Sequence, residues 1–215
     1  MCSNNTQKYT KEEVKQQMLD YIENKYDMEF KVKDVAYKSW SRDWEDMRAY
    51  PKDGDPEDTF EVYRFTEDNG EVYYTDFYFV NLMQDEYEEY INGFISKYFE
   101  EYKFVVGFGL PIKVENNFTK DITFEEFRQY ADEKTNVTVK LYLPAENEEE
   151  IETEVEKLYK DLSNDIGEGD LLVFGYSDEV YKTEVEEKEN SYNTVKSSFR
   201  IDKTWFREKT EFMEE

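Results

Sequence analysis

Histidine is missing from all 215 residues, and cysteine occurs once, at Cys2. Without imidazole there is no Ser-His-Asp or Cys-His nucleophile pair, no imidazole general base and no His-ligated zinc. A lone thiol builds neither an internal disulfide nor a Cys-rich metal site. Long apolar runs are also lacking: no stretch approaches the roughly 18 residues a spanning helix needs, so attachment to a membrane would run through a lipid. What remains open to an enzyme is carboxylate, lysine or tyrosine chemistry, or a metal held by oxygen ligands.

Basic residues are scarce against acidic ones, 27 against 53, and the formal charge is −26. Such a surface repels nucleic acid and anionic lipid and attracts cationic partners, with solubility as the plain alternative explanation. Disorder is excluded by 19 tyrosines and 16 phenylalanines in periodic positions, which supply large buried area.

The pattern predicts an α+β protein organised around residues 28–80. Thr10-Lys11-Glu12-Glu13 reads as a capping box. Val14, Met18, Tyr21, Ile22 and Lys25 then follow helical spacing to an end near Tyr26-Asp27. Four strands are predicted, Phe30–Tyr37, Trp44–Tyr50, Thr59–Phe65 and Glu71–Val80. A parity shift predicts a bulge at Lys33-Asp34, and Asp68-Asn69-Gly70 predicts a type I′ hairpin turn. The shape is a helix laid across an antiparallel meander.

A second helix is expected over Asp85–Tyr102, as the hinge to a second half. That half reads as a strand at 103–111, a short helix opened by the capping box Thr123-Phe124-Glu125-Glu126, a strand over Asn136–Leu143, a helix capped by Asn147 and stopped by Gly167, and a strand over Asp170–Tyr176. The last three form a β-α-β unit with parallel strands. Strands are also expected at Val180–Val185 and Thr194–Ile201, around a polar hairpin tip at Glu186–Ser191. Gly107-Phe108-Gly109 lacks the third glycine of a dinucleotide loop and reads as a strand terminus. The expected division is a tether at 1–9, a first domain at 10–102, a second at 103–202 and a tail at 203–215.

Met1-Cys2-Ser3-Asn4-Asn5-Thr6 has the appearance of a bacterial lipoprotein after removal of its signal peptide, with Cys2 carrying the lipid and the polar residues as tether. With Tyr37-Lys38-Ser39-Trp40, Tyr50-Pro51-Lys52 and Gly54-Asp55-Pro56-Glu57-Asp58-Thr59-Phe60, the first hundred residues resemble the uncharacterised lipoproteins of Gram-positive bacteria, chiefly Firmicutes. The resemblance implies a location, the outer face of the cell membrane, and no reaction. A helix on a meander is also similar to cystatin-like folds, which implies a shape only.

Function is therefore expected from contact rather than catalysis, with no cofactor. Trp40, Arg42 and Trp44 flank one polar turn, and Tyr63 and Tyr73 lie on strands whose two faces both carry aromatics. Trp and Arg are enriched at binding hot spots, so these five are the candidate contacts for a peptide, glycan or protein, against the alternative that the indoles only cover the open end of the sheet. An acidic immunity or inhibitor protein neutralising a basic partner is the second reading, with the cytoplasm as the alternative compartment. The acidic loop at 53–58 lacks the spacing of a calcium loop and reads as a solvated turn, with calcium binding as the minor alternative. Sugar hydrolysis by paired carboxylates remains a third class without a motif behind it.

Overall fold

The computed structural model describes residues 9–111, 117–186 and 196–206. Two compact units divide the chain: residues up to Met83 with Pro111–Thr123, and Gln84–Leu110 with the residues from Phe124 onward. The division falls inside a helix rather than at residue 102. Pro111–Thr123 belongs with the first unit because Phe118 packs 5.2 Å from Phe79 and Lys120 pairs with Asp27 at 2.7 Å.

The first unit opens with helix α1, Lys11–Tyr26, whose capping box is formed: Thr10 Oγ1 accepts from Glu13 N, and Glu13 accepts from Thr10 N at 2.7 Å. Its apolar stripe, Val14, Met18, Ile22 and Tyr26, lies against a sheet in the order β1 (Phe30–Ala36), β2 (Trp44–Pro51), β3 (Phe60–Thr66), β4 (Val72–Asp76), antiparallel throughout. Phe30, Met47, Ala49, Phe60 and Val62 complete that core. Alternation explains the choice of face: Glu45, Met47 and Ala49 are buried, while Asp46 and Arg48 between them retain exposure. The register of β1 on β2 shifts between Val32 and Asp34, which is the bulge the sequence predicts.

Between β3 and β4 the predicted turn is present in another form. Gly70 alone has positive φ, at 88°, so the loop is not the type I′ turn, which needs two such residues. Gly70 N instead donates to Glu67 O, and Asn69 Oδ1 accepts from Glu71 N. Strand β4 also stops at Asp76, short of the expected Val80, because Asp76 Oδ1 accepts the amide of Tyr78 and turns the chain into helix α2, Tyr78–Ile95. That helix closes seven residues before the expected Tyr102: the amides of Tyr98 and Phe99 both converge on Ile95 O.

The second unit holds a mixed sheet in the order β5 (Lys103–Gly109), β6 (Asn136–Pro144), β7 (Gly169–Tyr176), β8 (Phe199–Trp205). Strands β6 and β7 are parallel and joined through helix α4, Glu152–Asp165, as predicted; the other two pairings are antiparallel. Helix α3, Phe124–Lys134, precedes β6 and is the short helix expected after Thr123. Asn147 does not cap α4. It precedes a short 3₁₀ turn, Glu148–Glu150, its amide donates to Glu150, and α4 starts only at Glu152.

Residues 178–186 form helical turns, not the expected strand, with Tyr181 and Val185 buried against Tyr142 and Tyr176. The last strand runs Phe199–Trp205, later than expected, and the hairpin tip at 187–191 lies outside the described residues. The expected tail is therefore structured at its start: Trp205 is 5% exposed, and its indole N–H donates to Ile166 O at 3.0 Å. A Cβ at Gly169 would stand 2.4 Å from the Trp205 ring, so only glycine lets this indole lie on β7.

Candidate functional site

The polar turn between β1 and β2 ends in a two-residue tip. Ser39 and Arg42 pair as an isolated bridge, Ser39 N donating to Arg42 O at 3.0 Å and Arg42 N to Ser39 O at 3.3 Å. Trp40 and Ser41 occupy the apex, and the Trp40 side chain is fully exposed, at 100%. Among the described residues the other exposed large apolar side chain is Phe206, at 76%. Free water contact around an indole forgoes the area burial that normally makes tryptophan stabilising.

Arg42 is turned inward. Its Nη1 donates to Asp46 Oδ2 at 2.7 Å, its Nη2 to Tyr37 O at 3.3 Å, and its Nε is buried without a hydrogen-bond partner. Burial raises the Asp46 carboxyl above the usual carboxylate range; the Arg42 charge opposes this and Glu61 and Asp34 add to it. On the other side of the tip Lys38 reaches Asp43 at 3.9 Å, the Asp43 side chain being 95% exposed. Lys11, at the start of α1, sits 5.0 Å from the Tyr37 ring, so the tip stands at the end of the unit where α1 begins.

Trp44, Tyr63 and Tyr73 share the sheet face turned away from α1. Trp44 opposes Phe65, and Phe65 opposes Tyr73, giving one row of rings across three strands with centroids 6.4 Å and 4.9 Å apart. Trp44 and Tyr73 at its ends are half-buried, whereas Tyr63 is 8% exposed. The Tyr63 hydroxyl donates to Glu61, and burial followed by that bond pushes its ionisation well up. Of the five predicted contacts, the structure thus gathers Arg42, Trp44, Tyr63 and Tyr73 on one face, with Trp40 projecting past its edge. Cys2 lies outside the described residues.

Sequence reasoning missed two buried polar centres on the opposite face. Asp76, fully buried, accepts from Tyr26 Oη at 2.6 Å, Lys25 Nζ at 2.7 Å and Tyr21 Oη at 3.0 Å. Arg64, 2% exposed, pairs with Glu45 at 3.1 Å, donates from Nε to Gln17 Oε1 at 3.2 Å and lies over the Tyr9 ring. Strand alternation places Arg64 inward with Val62, and that parity was the available signal.

Elsewhere, residues 52–58 are exposed, with Asp55 Oδ1 accepting Glu57 N and Lys33 pairing with Glu57. Among the described residues no three acidic or thiol side chains converge as a metal cage. Asn147, Glu148, Glu149, Glu150 and Glu152 line an open hollow of about 580 Å³ before α4, where carboxylates favour the helix dipole. Among the described residues no helix is long and apolar enough to cross a membrane. No protein-family model, no curated protein and no solved structure matches this chain.

Proposed function

We propose that this protein is a non-catalytic interaction module, held at the outer face of a cell membrane by lipid on Cys2, which grips a protein or peptide partner through the Trp40 corner. The full exposure of the Trp40 indole carries this reading. A tryptophan that contributes nothing to its own core, beside Arg42 and Trp44, has the composition of a binding hot spot. The absence of histidine from the chain supports contact over catalysis. An acidic inhibitor of a basic protein is the second reading, favoured by the −26 charge, and it would use the same corner.

A photo-crosslinking amino acid at position 40, in the producing cell, tests the contact. A discrete adduct from position 40 and none from the exposed position 133 is expected; no adduct, or the same adducts from both, sinks the reading. The compartment is tested separately: Cys2→Ser is expected to release the protein from the membrane fraction.

A further inference from the structure

We infer that the segment gripped at the Trp40 corner is cationic, carrying arginine or lysine; this rests on the module reading above. The first ground is the indole itself, whose faces attract ammonium and guanidinium groups. With 100% exposure, Trp40 is open to an incoming cation. The second is the state of the local charges. Arg42 is occupied by Asp46 and Tyr37 O, so it is not presented to an anion. Asp43, three residues from Trp40, is 95% exposed and meets Lys38 only at 3.9 Å. Lys38, whose side chain is 46% exposed, and Lys11 over the Tyr37 ring are the groups near the tip, among the described residues, that favour an anionic ligand. The third is the long-range field: 53 acidic against 27 basic residues draw cationic segments in and turn anionic ones away. A partner's guanidinium over the indole, with Asp43 beside it, satisfies all three.

The test titrates the full chain with fluorescent dodecapeptides of alternating glycine and arginine, glycine and glutamate, or glycine and serine, reading anisotropy. The arginine peptide is expected to bind and the other two not. Trp40→Ala is expected to weaken it roughly fivefold, the scale of an exposed cation–π contact. Asp43→Asn should weaken it as well, while Glu133→Gln, which removes an exposed carboxylate of the second unit, should leave it unchanged. Both site variants alter exposed side chains, so folding is not at issue. Equal affinity of wild type and Trp40→Ala would overturn the inference, since the general field would then suffice. It also falls if Trp40 emission responds to phosphatidylcholine–phosphatidylglycerol vesicles and not to the peptide, which makes a lipid surface the occupant. A crosslink from position 40 to a partner segment without lysine or arginine removes this inference alone; absence of any crosslink removes the module reading beneath it.

Discussion

Tyr26 on α1 donates its hydroxyl proton to Asp76 at 2.6 Å, across fifty residues of sequence and inside the core of the first unit. The same carboxylate takes Lys25 and Tyr21 from α1 and the Tyr78 amide at the start of α2, so one side chain holds the first helix and sets where β4 ends.

Asp76→Ala should therefore destabilise the first unit by about 3–5 kcal/mol, because it strips a shared acceptor from a buried ammonium and two hydroxyls. Asp76→Asn, which keeps an acceptor oxygen, should cost less. Urea denaturation followed by tyrosine fluorescence measures both, and equal stabilities for the two variants would contradict the shared-acceptor account.

Arg64 and Glu45 make the comparable case within the sheet. Arg64→Met alone is expected to cost about 3 kcal/mol by leaving Glu45 buried without its guanidinium, whereas the double variant Arg64→Met/Glu45→Leu should recover most of that. A thermodynamic cycle built from denaturation midpoints gives the coupling directly.

The tryptophans of the two units should behave oppositely. Trp40→Ala should change stability by less than about 0.5 kcal/mol, as expected of an exposed site. Trp205→Ala, which empties a buried indole site and releases the bond to Ile166 O, should cost about 3–5 kcal/mol. Calorimetry of the two variants separates contact tryptophan from core tryptophan.

Asp34 and Asp46 lie on the same sheet face and shift in opposite directions. The bond from Arg48 holds the Asp34 carboxyl below the ordinary aspartate range, and burial raises Asp46 above it. Asp34 thus contributes stability that is present above its unfolded pKa and is lost as pH falls through its folded one. Ionised Asp46 works the other way: its penalty appears as pH rises past its unfolded pKa and is complete above its folded one. Carboxyl-carbon NMR titration should show Asp46 titrating at the higher pH, and Arg48→Met should move Asp34 upward.

Much of this architecture could be read residue by residue. The capping box at Thr10, the bulge after Val32 and the β-α-β rhythm of 136–176 depend on contacts within one element or on a period of two or 3.6 residues, and these are written locally. The failures have a common form. Residues 77–80 have strand-forming side chains, yet the Asp76 carboxylate captures the Tyr78 amide and a helix follows. Residues 180–185 suit a strand, and burying Tyr181 and Val185 beside Tyr142 and Tyr176 coils them instead. Of the candidate contacts, Trp40 was legible as a hydrophobic residue in a polar turn, but nothing nearby in sequence marked Tyr63 for burial.

The amino-acid order alone determined the acidic surface, the lack of imidazole chemistry, and an α+β chain of helix, meander and β-α-β. Tertiary structure decided that Trp205 is sealed by β7 and Trp40 is left in water, and that Asp76 gathers three side chains of α1. The reason is that covering a ring or satisfying a buried carboxylate requires groups brought in from distant parts of the chain, and only the folded arrangement supplies them.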